Sequence, residues 1–168
     1  SVGNLRWQKN QELLLNSFAL FSKHNPSFKL SIVGDGPEKN NLLKLSKVLG
    51  IDEMITFHGV LPPEEIVVLL NKSKVFCLTS KSEGFPKVVL EAMACGKMII
   101  STDVGSVNGI LEDYPYICSP GNEIDLSIKM NECHLNKNED LKVYLEKRVD
   151  DFSWESSANL YRKVYEKN

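Results

Sequence analysis

Long apolar runs are missing from this sequence of 168 residues, and none approaches the 18 residues that predict a membrane-spanning helix. The net charge is only −2, so the chain lacks the basic patch that is typical of nucleic-acid binding. Its four cysteines include no CxxC pair, and Cys77 and Cys95 lie in apolar segments. Such cysteines are typical of reduced thiols and favour a cytoplasmic protein. No signal peptide is predicted, because the first residues already have the pattern of folded structure.

The sequence does contain an alternation of short apolar segments and amphipathic segments. Strands are predicted at residues 1–3, 28–33, 54–58, 75–79 and 98–102. Helices are predicted at residues 9–24, 37–49 and 64–71, from residue 86 onward, and at 123–134, 139–150 and 153–167. Strands that are apolar on both faces are typical of a parallel sheet covered by helices on both sides. The predicted fold class is therefore α/β, a Rossmann-like three-layer sandwich with a parallel sheet.

The chain is predicted to form one domain over residues 1–150, followed by a helix within residues 151–168. On that helix, Trp154, Tyr161 and Tyr165 recur at helical spacing and form an aromatic stripe. The simplest interpretation of the stripe is that it packs on the core.

In an open parallel sheet, ligands bind beyond the carboxyl ends of the strands. The segment TSKSEGFPKVVLEAMACG follows one such end and contains Glu83 and Glu91, eight residues apart. The helix that begins near Pro86 presents free N–H groups and a positive dipole end, which suit a phosphate or pyrophosphate. Gly84 lets the backbone approach that phosphate, and Glu91 can accept hydrogen bonds from a ribose diol. Because Glu83 can bind further hydroxyls, the pattern predicts a nucleoside diphosphate sugar as ligand.

Less specific interpretations stay open at this point. Glu83 can simply be an acidic residue that favours the helix dipole, and Glu91 can be a solvated helix residue. The segment Gly34-Asp35-Gly36 lacks the third glycine of the dinucleotide fingerprint, so NAD binding is only weakly indicated and a plain turn is favoured.

The segment SEGFPKVVLEAMACG resembles the E-x7-E signature of retaining glycosyltransferases of family 4, which have the GT-B fold. Further segments resemble that family in the same order along the chain: VGNLRWQKNQELLLNSFA, LSIVGDGPEKNNLLKL, ITFHGV, STDVGSVNGIL and FSWESSANLYRKVYE. That fold has two Rossmann-like domains with a cleft between them. The resemblance implies that this chain is the C-terminal half of a GT-B fold, which binds the donor nucleotide sugar. It also implies that the final helix packs in part toward the N-terminal domain of the full enzyme.

The resemblance assigns roles to individual residues. It implies that Glu83 and Lys9 are catalytic, with Glu83 on the donor's sugar hydroxyls and Lys9 on the pyrophosphate. Glu91 is implied to bind the ribose. The other implied donor-binding residues are Gly3, Arg6, Phe57, His58, Gly59, Gly84, Phe85, Lys87, Val88 and Val89. Within that set, the backbone of residues 57–59 is expected to face the base, and N–H groups after Gly84 are expected to hold sugar and pyrophosphate.

Asn4 stands where the family usually has an arginine, so we expect Arg6 to reach the phosphates instead; a solvated arginine is the alternative. His58 lies at a family position that is not catalytic. Lys87 stands where many relatives have a smaller residue, and it either touches a phosphate or is solvated.

By resemblance, the full enzyme transfers a hexose or N-acetylhexosamine from a nucleotide sugar, with UDP favoured, and retains the anomeric configuration. The implied acceptor is a lipid-linked saccharide in O-antigen, capsule or lipopolysaccharide biosynthesis, with membrane contact only through the full-length protein. No cofactor or metal is expected, because Lys9 and the helix N-terminus take that role. The implied N-terminal domain is a required partner, so the 168-residue chain alone is expected to be inactive.

Two alternatives remain at the level of function. One is a non-enzymatic nucleotide-binding α/β module. The other is a different GT-B enzyme, such as a sugar-nucleotide epimerase, although such enzymes lack the E-x7-E segment.

Overall fold

Short parallel strands alternate with helices in the computed structural model, which describes residues 1–136, 139–153, 155, 156, 158 and 162. The strands are β1 (Leu30–Val33), β2 (Ile55–Gly59), β3 (Val75–Leu78), β4 (Met98–Thr102) and β5 (Ile117–Cys118). The helices are α1 (Gln11–Ser22), α2 (Lys39–Val48), α3 (Pro63–Lys72), α4 (Lys87–Ala94), α5 (Val107–Leu111), α6 (Glu123–Leu135) and α7 (Glu139–Asp150). Short 3-10 turns at Trp7–Lys9 and Asp52–Met54 precede α1 and β2. This order confirms the predicted α/β class.

The strands pair in two groups, which differs from the single sheet that the sequence predicts. β1 pairs with β2, and β4 lies between β3 and β5, all in parallel. Within the described residues, the predicted strand 1–3 contributes one parallel bridge, from Val2 to Val33. A cleft of about 880 Å³ lies between β1 and β3 and is lined in part by Leu30 and Val75. None of the predicted donor-binding residues lines this cleft.

The core is centred on β4, whose five residues are all buried. A parallel strand that is buried on both faces must be covered from both sides. α6 contacts β4 and α1, whereas α4 and α7 contact β4 and each other. The helices therefore form two layers around the strands, in agreement with the three-layer prediction.

The start of α1 places one of the predicted site residues. Leu14, Phe18 and Phe21 recur along the helix with the spacing of one face, and all three are buried. The helix begins two residues later than expected, because Asn10 has a φ angle of 49°, in the left-handed region. Lys9 therefore lies in the 3-10 turn before the helix instead of within it.

Two short elements, α5 and β5, were not predicted from the sequence; they contain five and two residues. Elements this short carry too few positions for a periodic pattern to be recognised. Tertiary packing stabilises them, since Val107, Ile110 and Leu111 of α5 and Cys118 of β5 are buried.

The last predicted helix, at residues 153–167, falls largely outside the described residues. Trp154, Tyr161 and Tyr165 all lie outside them, while Ala158 is exposed. The proposed boundary between a domain at 1–150 and a final helix at 151–168 therefore remains a prediction.

Candidate functional site

Chain segments that follow different strands meet at the carboxyl edge of the strands, as expected for a site in a parallel α/β fold. The stretch 3–9 extends from the end of β1 to the turn that follows β3. Near β1, the Leu5 N–H donates to the Asp35 carbonyl at 2.9 Å. Near β3, the Lys81 N–H donates to the Gln8 carbonyl at 2.7 Å. These two bonds hold the segment that carries Lys9 against the turn that carries Glu83.

The entrance to α4 offers backbone donors to a ligand. Pro86 precedes the helix and has no N–H of its own. Of the four N–H groups predicted to hold the donor, those of Lys87 and Val89 already donate to the Phe85 and Pro86 carbonyls, at 3.0 and 2.9 Å. The N–H groups of Phe85 and Val88 have no acceptor in the part of the chain that the structure describes. Two donors at the positive end of a helix dipole therefore remain available to an anion.

Glu83 lies at the centre of a small polar cluster just before α4. The Lys9 Nζ donates to Glu83 Oε1 at 2.6 Å, and the Ser80 Oγ donates to the same oxygen at 2.5 Å. The Glu83 side chain is only 10% exposed, whereas that of Lys9 is 27% exposed. The structure thus brings together the two residues that the resemblance implies to be catalytic, and it adds Ser80, which the sequence analysis did not single out.

The position of Lys9 is set by its backbone and by the residue below its side chain. The Thr79 Oγ1 donates to the Lys9 carbonyl at 3.1 Å. The aliphatic part of the Lys9 side chain passes over Gly3, where a Cβ atom would lie 3.6 Å from the Lys9 Cε. Gly3 therefore lies directly beneath the Lys9 side chain, and its role in binding the donor remains a prediction.

The turn that contains Glu83 and Gly84 rests on the loop after β4. The Ser106 Oγ donates to the Gly84 carbonyl at 2.8 Å. Gly105 approaches so closely that a Cβ atom there would lie 1.9 Å from the Glu83 carbonyl oxygen. The segment STDVGSVNGIL was noted only for its resemblance, and the supporting role of Gly105 and Ser106 was missed. A glycine after a strand was the available signal, because glycine often marks a close approach of two backbones.

Three of the predicted binding side chains are exposed. Arg6, Lys87 and Glu91 each present a charged group at the surface. None of them has an ion-pair or side-chain hydrogen-bond partner among the residues that the structure describes. Their charges are available to a ligand, and their roles as phosphate and ribose contacts remain predictions.

The predicted base-binding residues 57–59 lie at the end of β2. The His58 Nε2 is 3.2 Å from the Oγ of Ser31, a residue of the neighbouring strand β1. The Gly59 carbonyl accepts a hydrogen bond from the Gly34 N–H at 2.7 Å. Within the described chain, no hydrogen bond connects these residues with the turn before α4, so their role in binding a base is still a prediction.

The turn Gly34-Asp35-Gly36 has a local structural role, as favoured from the sequence. Asp35 Oδ2 accepts from the Lys39 Nζ, and its Oδ1 accepts from the Gly36 N–H, each at 2.7 Å. The hydrogen bond from Lys39 has the largest effect, and together with that from the Gly36 N–H it lowers the pKa of the Asp35 carboxyl below its ordinary value. The carboxylate is thus occupied in closing the turn and starting α2.

The described residues contain neither a cluster of metal ligands nor a helix that could span a membrane. Across the described ranges, no three His, Cys, Asp or Glu residues are grouped closely enough to hold a metal ion. In the same ranges, every helix is too short or too polar to cross a membrane.

Comparison with known proteins places this geometry in context. Residues 1–149 match the family model described as glycosyl transferases group 1. N-acetyl-alpha-D-glucosaminyl L-malate synthase of Bacillus anthracis is 31% identical over 172 aligned residues, which cover 98% of this chain and 44% of the relative. The chain spans less than half the length of this relative and of other curated relatives that it matches.

Solved structures support the same fold. The catalytic domain of cholesterol-alpha-glucosyltransferase from Helicobacter pylori superposes with a TM-score of 0.83 at 24% identity, covering 91% of this chain and 96% of that one. Anabaena HepE, crystallised in complex with UDP, superposes with a TM-score of 0.80 at 21% identity, covering 96% of this chain and 47% of HepE. At these identities, the superpositions show the shared fold.

Proposed function

The chain belongs to the glycosyl transferases group 1 family, and on this basis we propose that it is the donor-binding half of a retaining GT-B glycosyltransferase. The donor is a nucleotide sugar, and its diphosphate binds at the entrance to α4. The complete enzyme transfers the sugar to an acceptor held with the help of the other half of the fold. The chain alone is therefore expected to bind donor without transferring sugar.

One observation carries the proposal. The Lys9 ammonium and the Glu83 carboxylate lie 2.6 Å apart, and the segment that follows Glu83 carries the N–H groups of Phe85 and Val88, which have no acceptor among the described residues. Cationic and N–H donors suit a diphosphate, while a carboxylate suits the hydroxyls of a sugar. Groups that suit a diphosphate and a group that suits a sugar thus occur together at Lys9, Glu83 and the start of α4, which supports a nucleotide sugar as the ligand.

The mechanism that follows is electrostatic. When the bond between sugar and diphosphate breaks, negative charge develops on the leaving diphosphate. Lys9 and the two free N–H groups stabilise that charge, and donors fixed before the reaction are the most effective for this purpose. Glu83 holds the sugar hydroxyls so that the anomeric carbon faces the acceptor.

The finer assignments are part of the proposal. Crystallisation of the structurally similar Anabaena HepE with UDP supports UDP over other nucleotides. Retention of configuration, a hexose or N-acetylhexosamine as the transferred sugar, and a lipid-linked saccharide acceptor in surface-polysaccharide synthesis rest on the resemblance of SEGFPKVVLEAMACG to family 4. So does the peripheral membrane contact of the full-length enzyme, whereas the cytoplasmic location rests on the cysteines, which are typical of reduced thiols.

Thermal unfolding of the 168-residue chain with a panel of nucleotides tests the proposal. The panel contains UDP, GDP, ADP, the corresponding nucleotide sugars, and NAD as a dinucleotide decoy. A ligand that binds only the folded state adds RT ln(1+[L]/Kd), about 2.7 kcal/mol at 100 times Kd. We expect UDP and a UDP-sugar to raise the unfolding temperature and NAD to leave it unchanged.

A Lys9→Ala variant in the same panel locates the diphosphate. UDP should lose at least about tenfold in affinity, the equivalent of one charge-assisted hydrogen bond, while uridine loses little. Lys142→Ala is the matched control, because Lys142 also forms an ion pair, at 2.8 Å to Glu139, but on α7. Failure of every nucleoside diphosphate to stabilise the chain would overturn the proposed function.

A further inference from the structure

The two oxygens of the Glu83 carboxylate have different surroundings. Oε1 accepts both the Lys9 ammonium at 2.6 Å and the Ser80 hydroxyl at 2.5 Å. Oε2 has no donor among the residues that the structure describes, and it is not sealed in the interior. One oxygen is thus anchored by the protein, while the other is free to accept a hydrogen bond from a ligand.

The two donors to Oε1 differ in how firmly they are held. Ser80 is buried, with 1% of its surface exposed, and its carbonyl accepts a hydrogen bond from the buried Thr102 Oγ1 at 2.7 Å. The Lys9 ammonium is carried by a long side chain that is 27% exposed and has several rotatable bonds. The hydroxyl therefore stays in place when the surroundings change, whereas the ammonium can turn toward a new partner.

A bound diphosphate provides such a partner. It carries more negative charge than a carboxylate and would compete with Glu83 for the Lys9 ammonium. If Lys9 were the sole anchor of Glu83, binding of the diphosphate would release the carboxylate at the moment when it must orient the sugar. The second anchor removes this conflict.

We propose that Ser80 is a positioning residue for Glu83: it holds Oε1 while Lys9 turns to the diphosphate, and so keeps Oε2 available to the donor's sugar hydroxyls. This inference rests on the proposed function of the site and extends it to a residue with no contact of its own to the donor. Ser80 acts on sugar affinity only through Glu83.

Calorimetric titration of the wild-type chain and its variants separates this role from a general structural one. The ligands are UDP-glucose, UDP-N-acetylglucosamine and GDP-mannose, each paired with its free nucleoside diphosphate; the pair that the wild type binds is carried forward. In Ser80→Ala, affinity for the nucleotide sugar should fall about tenfold, as for loss of one hydrogen bond to a charged group. Affinity for the free diphosphate should change less than about twofold, because Lys9 remains.

A double-mutant cycle tests whether Ser80 acts through Glu83. In the Glu83→Ala background, adding Ser80→Ala should produce no further loss of nucleotide-sugar affinity. Ser82→Ala is the matched control, since Ser82 is an exposed serine in the same turn, and it should match the wild type for both ligands. Circular dichroism and the unfolding temperature of each variant confirm that the chain remains folded.

The outcomes distinguish a failure of the proposed function from a failure of the positioning role of Ser80. If the wild type binds no nucleoside diphosphate, the proposed function fails, and this inference fails with it. If the wild type binds but Ser80→Ala weakens diphosphate and nucleotide sugar equally, or still acts when Glu83 is absent, only the positioning role of Ser80 is overturned.

Discussion

At the scale of single residues, the two glutamates of the E-x7-E segment have opposite environments. Glu83 is mostly buried and is held by Lys9 and Ser80 before any ligand arrives. Glu91 is exposed on α4 and has no partner among the described residues. Glu83 is therefore preorganised, whereas the Glu91 carboxylate is exposed and its binding of a ribose remains a prediction.

Replacing Glu91 tests its predicted role directly. Glu91→Ala should weaken UDP binding about 10- to 100-fold, because each hydrogen bond to a charged group is worth about 1.5–3 kcal/mol. The unfolding temperature without ligand should stay unchanged, since the side chain is exposed. Glu65→Ala, an exposed glutamate on α3, provides the control. An unchanged dissociation constant for UDP, measured by calorimetry, would contradict the ribose assignment.

At the scale of secondary-structure elements, the longer periodic segments were predictable and the contacts between loops were not. The bounds of β4 and α7 agree with the prediction, since each has a clear pattern over its length. In contrast, the support of the Glu83 turn by Gly105 and Ser106 joins residues more than 20 positions apart. A single sequence gives no pattern for such a contact, because it depends on how two loops pack at the sheet edge.

In the candidate site, too, some residues could be predicted from the sequence and others could not. The quoted segment and the resemblance pointed to Glu83 and Lys9, which the structure brings within 2.6 Å. Ser80 was not singled out, because a serine in a turn is common and its partner is evident only from geometry. The start of α1 was misplaced by two residues, since the left-handed conformation of Asn10 has no signature in the apolar spacing.

Gly105 provides a test of the loop contact. Its φ angle is 55°, and a Cβ atom would lie 1.9 Å from the Glu83 carbonyl oxygen, so Gly105→Ala must displace the Glu83 turn. We expect a loss of about 1–3 kcal/mol in unfolding free energy together with weaker UDP binding. Gly109→Ala is the control, because a Cβ atom there meets nothing within 4 Å and the residue lies in α5. Equal stability of Gly105→Ala and wild type in urea denaturation would show that the loop contact is not needed.

At the scale of the whole molecule, the core isolates three thiols from water. Cys77, Cys118 and Cys133 are buried and free. Burial raises the pKa of Cys77 from 9.0 to about 11, and those of Cys118 and Cys133 to about 12. When the pH lies between the ordinary and the raised pKa, these thiols stay neutral in the folded protein but are ionised in the unfolded chain. They therefore behave as small apolar groups of the core, as predicted for Cys77 from the sequence.

This burial predicts how stability depends on alkaline pH. A group whose pKa is raised by folding contributes stability that is complete below its unfolded pKa and is lost as pH rises through the folded pKa. The contribution of the three thiols should thus be constant below pH 9 and decrease between pH 9 and about 12. For Cys77 the loss amounts to about 2–3 kcal/mol, at about 1.4 kcal/mol for each tenfold change in ionisation.

Urea denaturation at pH 8 and pH 10.5, with reductant present, measures this effect. Other groups also titrate in the range, so the comparison is between wild type and Cys77→Ala at each pH. The wild type should lose more stability than the variant on going to the higher pH. The same loss in both proteins would show that the Cys77 thiol is not shielded from ionisation.

The central claim is that a nucleoside diphosphate binds at the entrance to α4, between Lys9 and the acidic residues Glu83 and Glu91. A crystal structure of the 168-residue chain soaked with UDP tests it most directly. The account predicts the diphosphate against the Phe85 and Val88 N–H groups and the Lys9 ammonium, with the ribose hydroxyls on Glu91. UDP bound elsewhere, for example in the cleft between β1 and β3, or a Glu91 carboxylate directed away from the ribose, would contradict it.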